Sequence, residues 1–232
     1  MKYLLLLVFV LFSCSSMKRS PSSQSRILFI GDSQTAGNLG KYTYQHLSNQ
    51  FSDSEIELYG IGSSSPRHWA STTAAKEGQW LCSQNGRING KTDIPVRERL
   101  CQGPENQSIY AYLNRKKSDY VIFQFLGNSM GFSKEHITEK INLLLAELGN
   151  QECLFITSPP FFYELEEKNQ LRKTTEDYFI QAIGNRCKVF AGMSRENFEV
   201  FAKDKKNYLK DRIHLSEQGA ENFFKQFKDL LP

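Results

Sequence analysis

The sequence predicts an α/β protein of three layers, α/β/α, built on a parallel sheet of about five strands. Three observations carry that expectation. Short apolar runs recur along the chain, and each is bounded by small or polar turn residues. Longer segments of helical character stand between them, so strand and helix alternate throughout. The part with globular composition, residues 26 to 232, spans roughly 207 residues, which is enough for one well-packed core and too few for two.

The first strand is Arg26-Ile27-Leu28-Phe29-Ile30, ended by Gly31-Asp32-Ser33, and a helix is predicted from about Thr35 to Asn49. A second strand, Glu55 to Tyr59, gives way to Gly60-Ile61-Gly62-Ser63-Ser64-Ser65-Pro66. The third, Tyr120 to Phe125, gives way to Leu126-Gly127-Asn128-Ser129. There follow a helix at about Lys134 to Leu148, a strand at Cys153 to Thr157, a helix at about Glu164 to Ile183, a strand at Lys188 to Phe190 and a last helix from Ser216. Right-handed crossovers between parallel strands place helices on both faces, a flavodoxin-like arrangement. Ligands bind such sheets at the carboxyl ends of the strands, where all three polar turns fall.

One stretch breaks the rhythm. Residues 67 to 107 read as a long loop insertion carrying Trp69, Trp80, Cys82 and Cys101, and loops of that length are usually functional or stapled.

The amino terminus has the parts of a secretory signal: Met-Lys-Tyr, an apolar run from Leu4 to Phe12, then Ser13-Cys14. That run is far below the roughly 20 residues a helix needs to cross a bilayer, so residues 1–13 are expected to be removed. The cleavage region resembles a lipobox, which makes Cys14 the lipidated first residue of an exported lipoprotein anchored in a membrane and facing the periplasm or cell exterior. The alternative is an ordinary signal peptide that happens to contain a cysteine. Residues 14–25, rich in Ser with Lys18, Arg19 and Pro21, read as a flexible tether.

The formal charge of +4 includes Lys2, the sole charged side chain of the signal, so the mature chain is only mildly basic and no nucleic-acid partner is implied. A monomer is expected. With Cys14 set aside, Cys82, Cys101, Cys153 and Cys187 form an even set in an exported protein, and two disulfides are the default. Four cysteines allow three pairings; proximity favours Cys82–Cys101 and Cys153–Cys187. Neither a Cys-x-x-Cys spacing nor a nearby His supports a metal site, and no glycine pattern suits a phosphate or dinucleotide.

Gly31-Asp32-Ser33 places a serine where a strand turns into a helix, so its hydroxyl is exposed at the sheet edge. The bland reading is a helix cap. Near the other end, Asp211-Arg212-Ile213-His214 sets an acid three residues before a histidine. One turn of chain lets the carboxylate reach the imidazole Nδ1–H, fix the tautomer and leave Nε2 free to take a proton from serine. Asp211 orients, His214 abstracts and Ser33 attacks. Alternatively Asp211 merely pairs with Lys210 or Arg212 and His214 lies idle on the surface.

These motifs resemble those of the SGNH hydrolases, also called GDSL-like, whose four blocks carry Ser, Gly, Asn and His in that order. Gly31-Asp32-Ser33-Gln34 is similar to the first block, with Gln34 where leucine is usual. Leu126-Gly127-Asn128-Ser129 is similar to the third, with Ser129 where an acid is common. The second block's glycine falls on Gly62 or on Ser63, and Asp211-x-x-His214 matches the fourth. The resemblance spans nearly all of residues 26 to 220.

It implies attack by Ser33 on an acyl carbonyl, with the oxyanion held by the N–H of Ser33, an N–H at Gly62 or Ser63 and the Asn128 amide, and with no metal or organic cofactor. A serine esterase acting on acyl esters, foremost acetyl esters of cell-envelope or other polysaccharides, is the leading expectation. Acyltransferases, thioesterases and lysophospholipases share the resemblance, and a non-catalytic glycan-binding lipoprotein is the competing class. Trp69 and Trp80 suit a sugar face but equally a small loop core. Arg67 and His68, just after the second block, are candidates to meet a polar or anionic substrate, though residues of this kind are more often simply solvated.

Overall fold

The computed structural model describes residues 25–70, the backbone of 82–85, and 118–232. Five parallel strands form the centre: β1 (Arg26–Gly31), β2 (Glu55–Ile61), β4 (Tyr120–Gln124), β5 (Glu152–Ile156) and β6 (Lys188–Phe190). A sixth, β3 (Cys82–Asn85), lies antiparallel on the outer edge of β2, and the order across the sheet is β3-β2-β1-β4-β5-β6. Without β3, the parallel strands have the 2-1-3-4-5 order of flavodoxin-like sheets. β1 and β4 are buried along their whole length, as strands covered on both faces must be, and this is why they read as unbroken apolar runs.

The helices are α1 (Asn38–Gln50), α2 (Pro66–Trp69), α3 (Lys134–Ala146), α4 (Glu166–Ile183), α5 (Arg195–Lys203) and α6 (Glu217–Phe227). Two hydrophobic clusters fill the two sides of the sheet. One gathers Ile27, Phe29, Leu47, Ile122 and Phe162 with Phe223 and Phe227 of α6. The other gathers Leu28, Ile30, Phe123 and Phe155 with Ile141 of α3 and Phe179 of α4. Alternate residues of one strand feed opposite clusters, as strand geometry requires.

Three expectations need correction. The stretch expected to be loop from 67 to 107 contains β3, and α2 overlaps its start; the four residues Cys-Ser-Gln-Asn lack the apolar alternation that marks a strand, because an edge strand is held mainly by its backbone. α5 was not expected either. It is short and polar, and among its described side chains only Phe201 and Ala202, near its end, are buried. α1 starts at Asn38 rather than Thr35, since residues 32–37 form turns, with the Ala36 N–H on the Asp32 carbonyl at 3.0 Å and the Gly37 N–H on that of Gln34 at 3.2 Å.

Cys153 and Cys187 are bonded, at the amino ends of β5 and β6. The expected Cys82–Cys101 pairing, Trp80, the signal, Cys14 and the tether lie outside the described residues. Among those described, no helix is long and apolar enough to cross a membrane.

Candidate active site

Three strand ends and one distant loop meet at the carboxyl edge of the sheet. The end of β1 is packed so tightly that a side chain on Gly31 would lie 1.9 Å from Thr35 Oγ1, and one on Gly60 of β2 would lie 2.3 Å from the Ala36 nitrogen. Glycine at both places lets the turn after β1 settle directly on the sheet. That turn carries Ser33.

Ser33 Oγ lies 2.8 Å from His214 Nε2, and His214 Nδ1 lies 2.6 Å from Asp211 Oδ2. The second carboxylate oxygen, Asp211 Oδ1, accepts from the backbone N–H groups of Ile213 and His214, both at 2.9 Å. Partial burial raises the Asp211 pKa, but the hydrogen bonds from His214 and Ile213 outweigh it and hold the carboxyl below its usual value. Asp211 is thus an anion aimed at the imidazole, and with Nδ1–H donating to it, Nε2 has a lone pair for the serine proton. The pairing of Asp211 with Lys210 or Arg212 does not occur; Arg212 instead meets Glu164 and sits over the Phe162 ring. Arg212 adopts a φ of 60°, a left-handed backbone that turns the chain from Asp211 toward His214.

Asn128 stands on the turn after β4 and donates from Nδ2 to the Ser64 carbonyl at 3.0 Å. An amide has two N–H bonds, so one remains for another acceptor. Gly62 and Ser63 occupy the turn after β2, closed by the Ser64 N–H on the Ile61 carbonyl at 3.1 Å, with Ser63 at a φ of 62°. Ser64 Oγ donates to the Gly31 carbonyl at 3.2 Å and accepts from Trp69 Nε1 at 3.2 Å. The structure therefore joins the turns bearing Ser33, Gly62, Ser63 and Asn128 through short contacts. Trp69 is buried against Phe125, which makes it a packing residue rather than a sugar platform. His68 caps α2, its Nδ1 accepting the Ser65 N–H at 3.0 Å.

Several residues that the motifs did not single out hold the site together. Gln34 is buried and donates from Nε2 to the Ile213 carbonyl at 3.0 Å, and Asn38 Nδ2 donates to the Leu215 carbonyl at 2.9 Å. These two bonds fasten the histidine loop to the nucleophile turn. Behind them, Thr35 Oγ1 donates to Gln124 Oε1 at 2.9 Å, and Ser158 Oγ accepts from the Gly127 N–H at 3.3 Å. Gln124 is the one with a sequence signal, a fully buried amide inside the apolar run Tyr-Val-Ile-Phe-Gln-Phe. Asp32 is also buried. Desolvation pushes its pKa up to about 7, against the opposing Gln34 N–H at 2.9 Å and the nearby His214.

No protein-family model matches this sequence, and no curated protein matches it. Solved structures do match in fold. TesA superposes with a TM-score of 0.56 at 12% identity, covering 89% of this chain and all of its own. A carbohydrate esterase family 3 protein from Talaromyces cellulolyticus gives 0.56 at 10% identity, covering 89% of this chain and 96% of that one. Axe2, an acetylxylan esterase from Geobacillus stearothermophilus, gives 0.54 at 14%, covering 92% and 95%. The three-layer α/β/α fold expected from the sequence is the fold of these proteins.

Proposed function

We propose that this chain is a serine esterase that hydrolyses acyl esters, foremost acetyl esters on cell-envelope or other polysaccharides. The observation that carries the reading is the unbroken line from Asp211 through His214 to Ser33, at 2.6 and 2.8 Å. His214 Nε2 takes the hydroxyl proton as Ser33 Oγ bonds to the acyl carbon, and the carbonyl π electrons move onto its oxygen. The free N–H of Asn128 and the N–H groups of the turns at Ser33 and at Gly62 and Ser63 are the donors for that oxyanion. Collapse expels the alcohol, protonated by His214, and water repeats the sequence to release the acid. Each step balances with no cofactor. The named activities of Axe2 and the Talaromyces protein, both on carbohydrate, favour an acetylated glycan as substrate.

The test is labelling by a fluorophosphonate probe beside acetate release from acetylated glycans and from p-nitrophenyl esters of short and long acids. Labelling at Ser33 with release from the short esters supports the reading. A protein that neither labels nor cleaves any ester is the inert glycan-binding scaffold instead.

We further propose export and lipid anchoring at Cys14, supported by the apolar run and the following cysteine. The mature protein should then partition into detergent and Cys14→Ala should release it. A wild type that stays wholly in the aqueous phase refutes the anchor.

A further inference from the structure

Beside the candidate site, a hollow of about 200 Å³, counted to its open mouth, lies between α2, the turn after β4 and α3. Its walls include Ser65, Arg67, Ser129, Phe132, His136 and Lys140. It adjoins the site directly. Ser65 follows Ser64, whose carbonyl holds Asn128, and Ser129 follows Asn128 itself. Much of that space is open to solvent, so a ligand group would meet it at its mouth.

Its chemistry is one-sided: three of the lining side chains are basic and none is a carboxylate. Arg67 lies with its guanidinium carbon 5.3 Å from the centre of the Phe132 ring and its Nε 3.3 Å from His68 Nε2, which leaves the two terminal nitrogens for a ligand. The His136 ring lies tilted against the same ring, with centroids 4.9 Å apart, and its Nε2 is buried with no hydrogen-bond partner. A buried polar atom without a partner is costly. Lys140 does touch Glu139 at 2.6 Å, but Glu139 points to solvent outside the hollow.

We infer that this hollow is an anion subsite, in which Arg67, His136 and Lys140 bind a carboxylate or phosphate carried by the ester substrate. The inference rests on the esterase reading and narrows it to acidic substrates. Arg67 meets two oxygens of the anion through its parallel N–H bonds, the Nε2–H of His136 finds the acceptor it lacks, and Lys140 adds charge at the mouth.

Three acetyl esters that differ only in a neutral, carboxylate or phosphate substituent on the leaving group test it at low salt. The charged member with the lower KM identifies the anion. KM for that ester is expected to be about tenfold below the neutral one, the worth of one charge-assisted hydrogen bond. R67Q and K140Q should each shrink that ratio severalfold, whereas K203Q and K225Q, which remove the same charge from α5 and α6, should leave it. Equal KM values across the three esters in the wild type, or an equal fall in the ratio for all four variants, overturn the subsite while leaving the esterase intact. Inorganic phosphate titrated against the protein gives a readout free of the reaction: the His136 ring resonances should shift, and R67Q should abolish the shift. Resonances that stay fixed refute the subsite even if every ester is cleaved.

Discussion

The two edges of the one sheet are built from different interactions. At the amino edge, Arg26 Nη2 reaches Glu55 and Glu57, both at 3.1 Å, the Arg26 N–H donates to Asp119 at 2.8 Å, and a disulfide ties β5 to β6. At the carboxyl edge, the turns are joined by neutral bonds from Gln34, Asn38, Ser64 and Asn128 to backbone carbonyls. Charge pairs among the described residues of that edge are Asp211 with His214, Arg212 with Glu164, Lys41 with Glu217 at the starts of α1 and α6, and the buried Arg172 with Glu176 behind the turn after β5. The bonds that fasten the nucleophile turn, the histidine loop and the Asn128 turn to one another are neutral, whereas the starts of the strands are fastened by a disulfide and by one arginine shared between two glutamates. Substitutions at the two edges should therefore separate turnover from stability.

The largest break in that comparison is Ser33→Ala or His214→Ala. Each should lower kcat by at least about 10,000-fold, and the double variant should be hardly worse, because the pair acts as one unit. Ester hydrolysis assayed with active-site titration measures it; a Ser33→Ala protein with most of its activity would remove the esterase reading. Asn128→Ala comes next, with a fall in kcat of about 100- to 1,000-fold and a small change in KM, as expected for an oxyanion donor.

Gln34→Leu inserts the residue usual in the resembling family and breaks the bond to Ile213. A loss of about tenfold in kcat/KM is expected from one buried hydrogen bond that positions the histidine loop. An unchanged rate would mean that Asn38 alone suffices.

Asp32 tests the carboxyl edge by pH. The unfolded chain gives up this proton near 3.8 and the folded protein keeps it to about 7, so folded stability falls as pH rises between those values and levels off above. Asp32→Asn retains the acceptor for Gln34 and removes that slope. Its urea midpoint should gain on the wild type from pH 4 to 7, with a ceiling of about 4 kcal/mol. Parallel curves would disprove it.

Smallest in turnover is the change at the amino edge. Replacing Cys153 and Cys187 by serine should leave kcat within about twofold while costing about 3–4 kcal/mol of stability for a closed loop of this size. Loss of rate at temperatures where the variant is folded would show that the two edges are coupled.

The sheet was legible because β1, β4 and most of β5 are buried on both faces and read as apolar runs, while β2 alternates buried with less buried residues as a strand does. Ser33, Asp211 and His214 were legible because a local motif holds each half of the arrangement. What escaped were residues whose role is defined across the chain. Gln34 looks like any turn glutamine until it meets Ile213, 179 positions away. Trp69 read equally as a sugar platform and as packing, and its burial beside Phe125 decides for packing. His68 stood in the same way as a substrate contact, but a bond to its own helix terminus uses it. β3 and α5 escaped because short elements held mainly by backbone bonds or end contacts carry no periodic signal.

β3 has a bearing on how the chain tolerates trimming. It pairs Cys82 to Ile61 and Asn85 to Leu58 in an antiparallel ladder, covering backbone groups that β2 would otherwise present to solvent. An uncovered strand edge is a template for a second chain. The segment that interrupts the α/β rhythm thus also shields the sheet from self-association. Deleting residues 71–117 to obtain a minimal domain should yield a protein that aggregates in proportion to its concentration, and a polar strand restored at that edge should return it to solution.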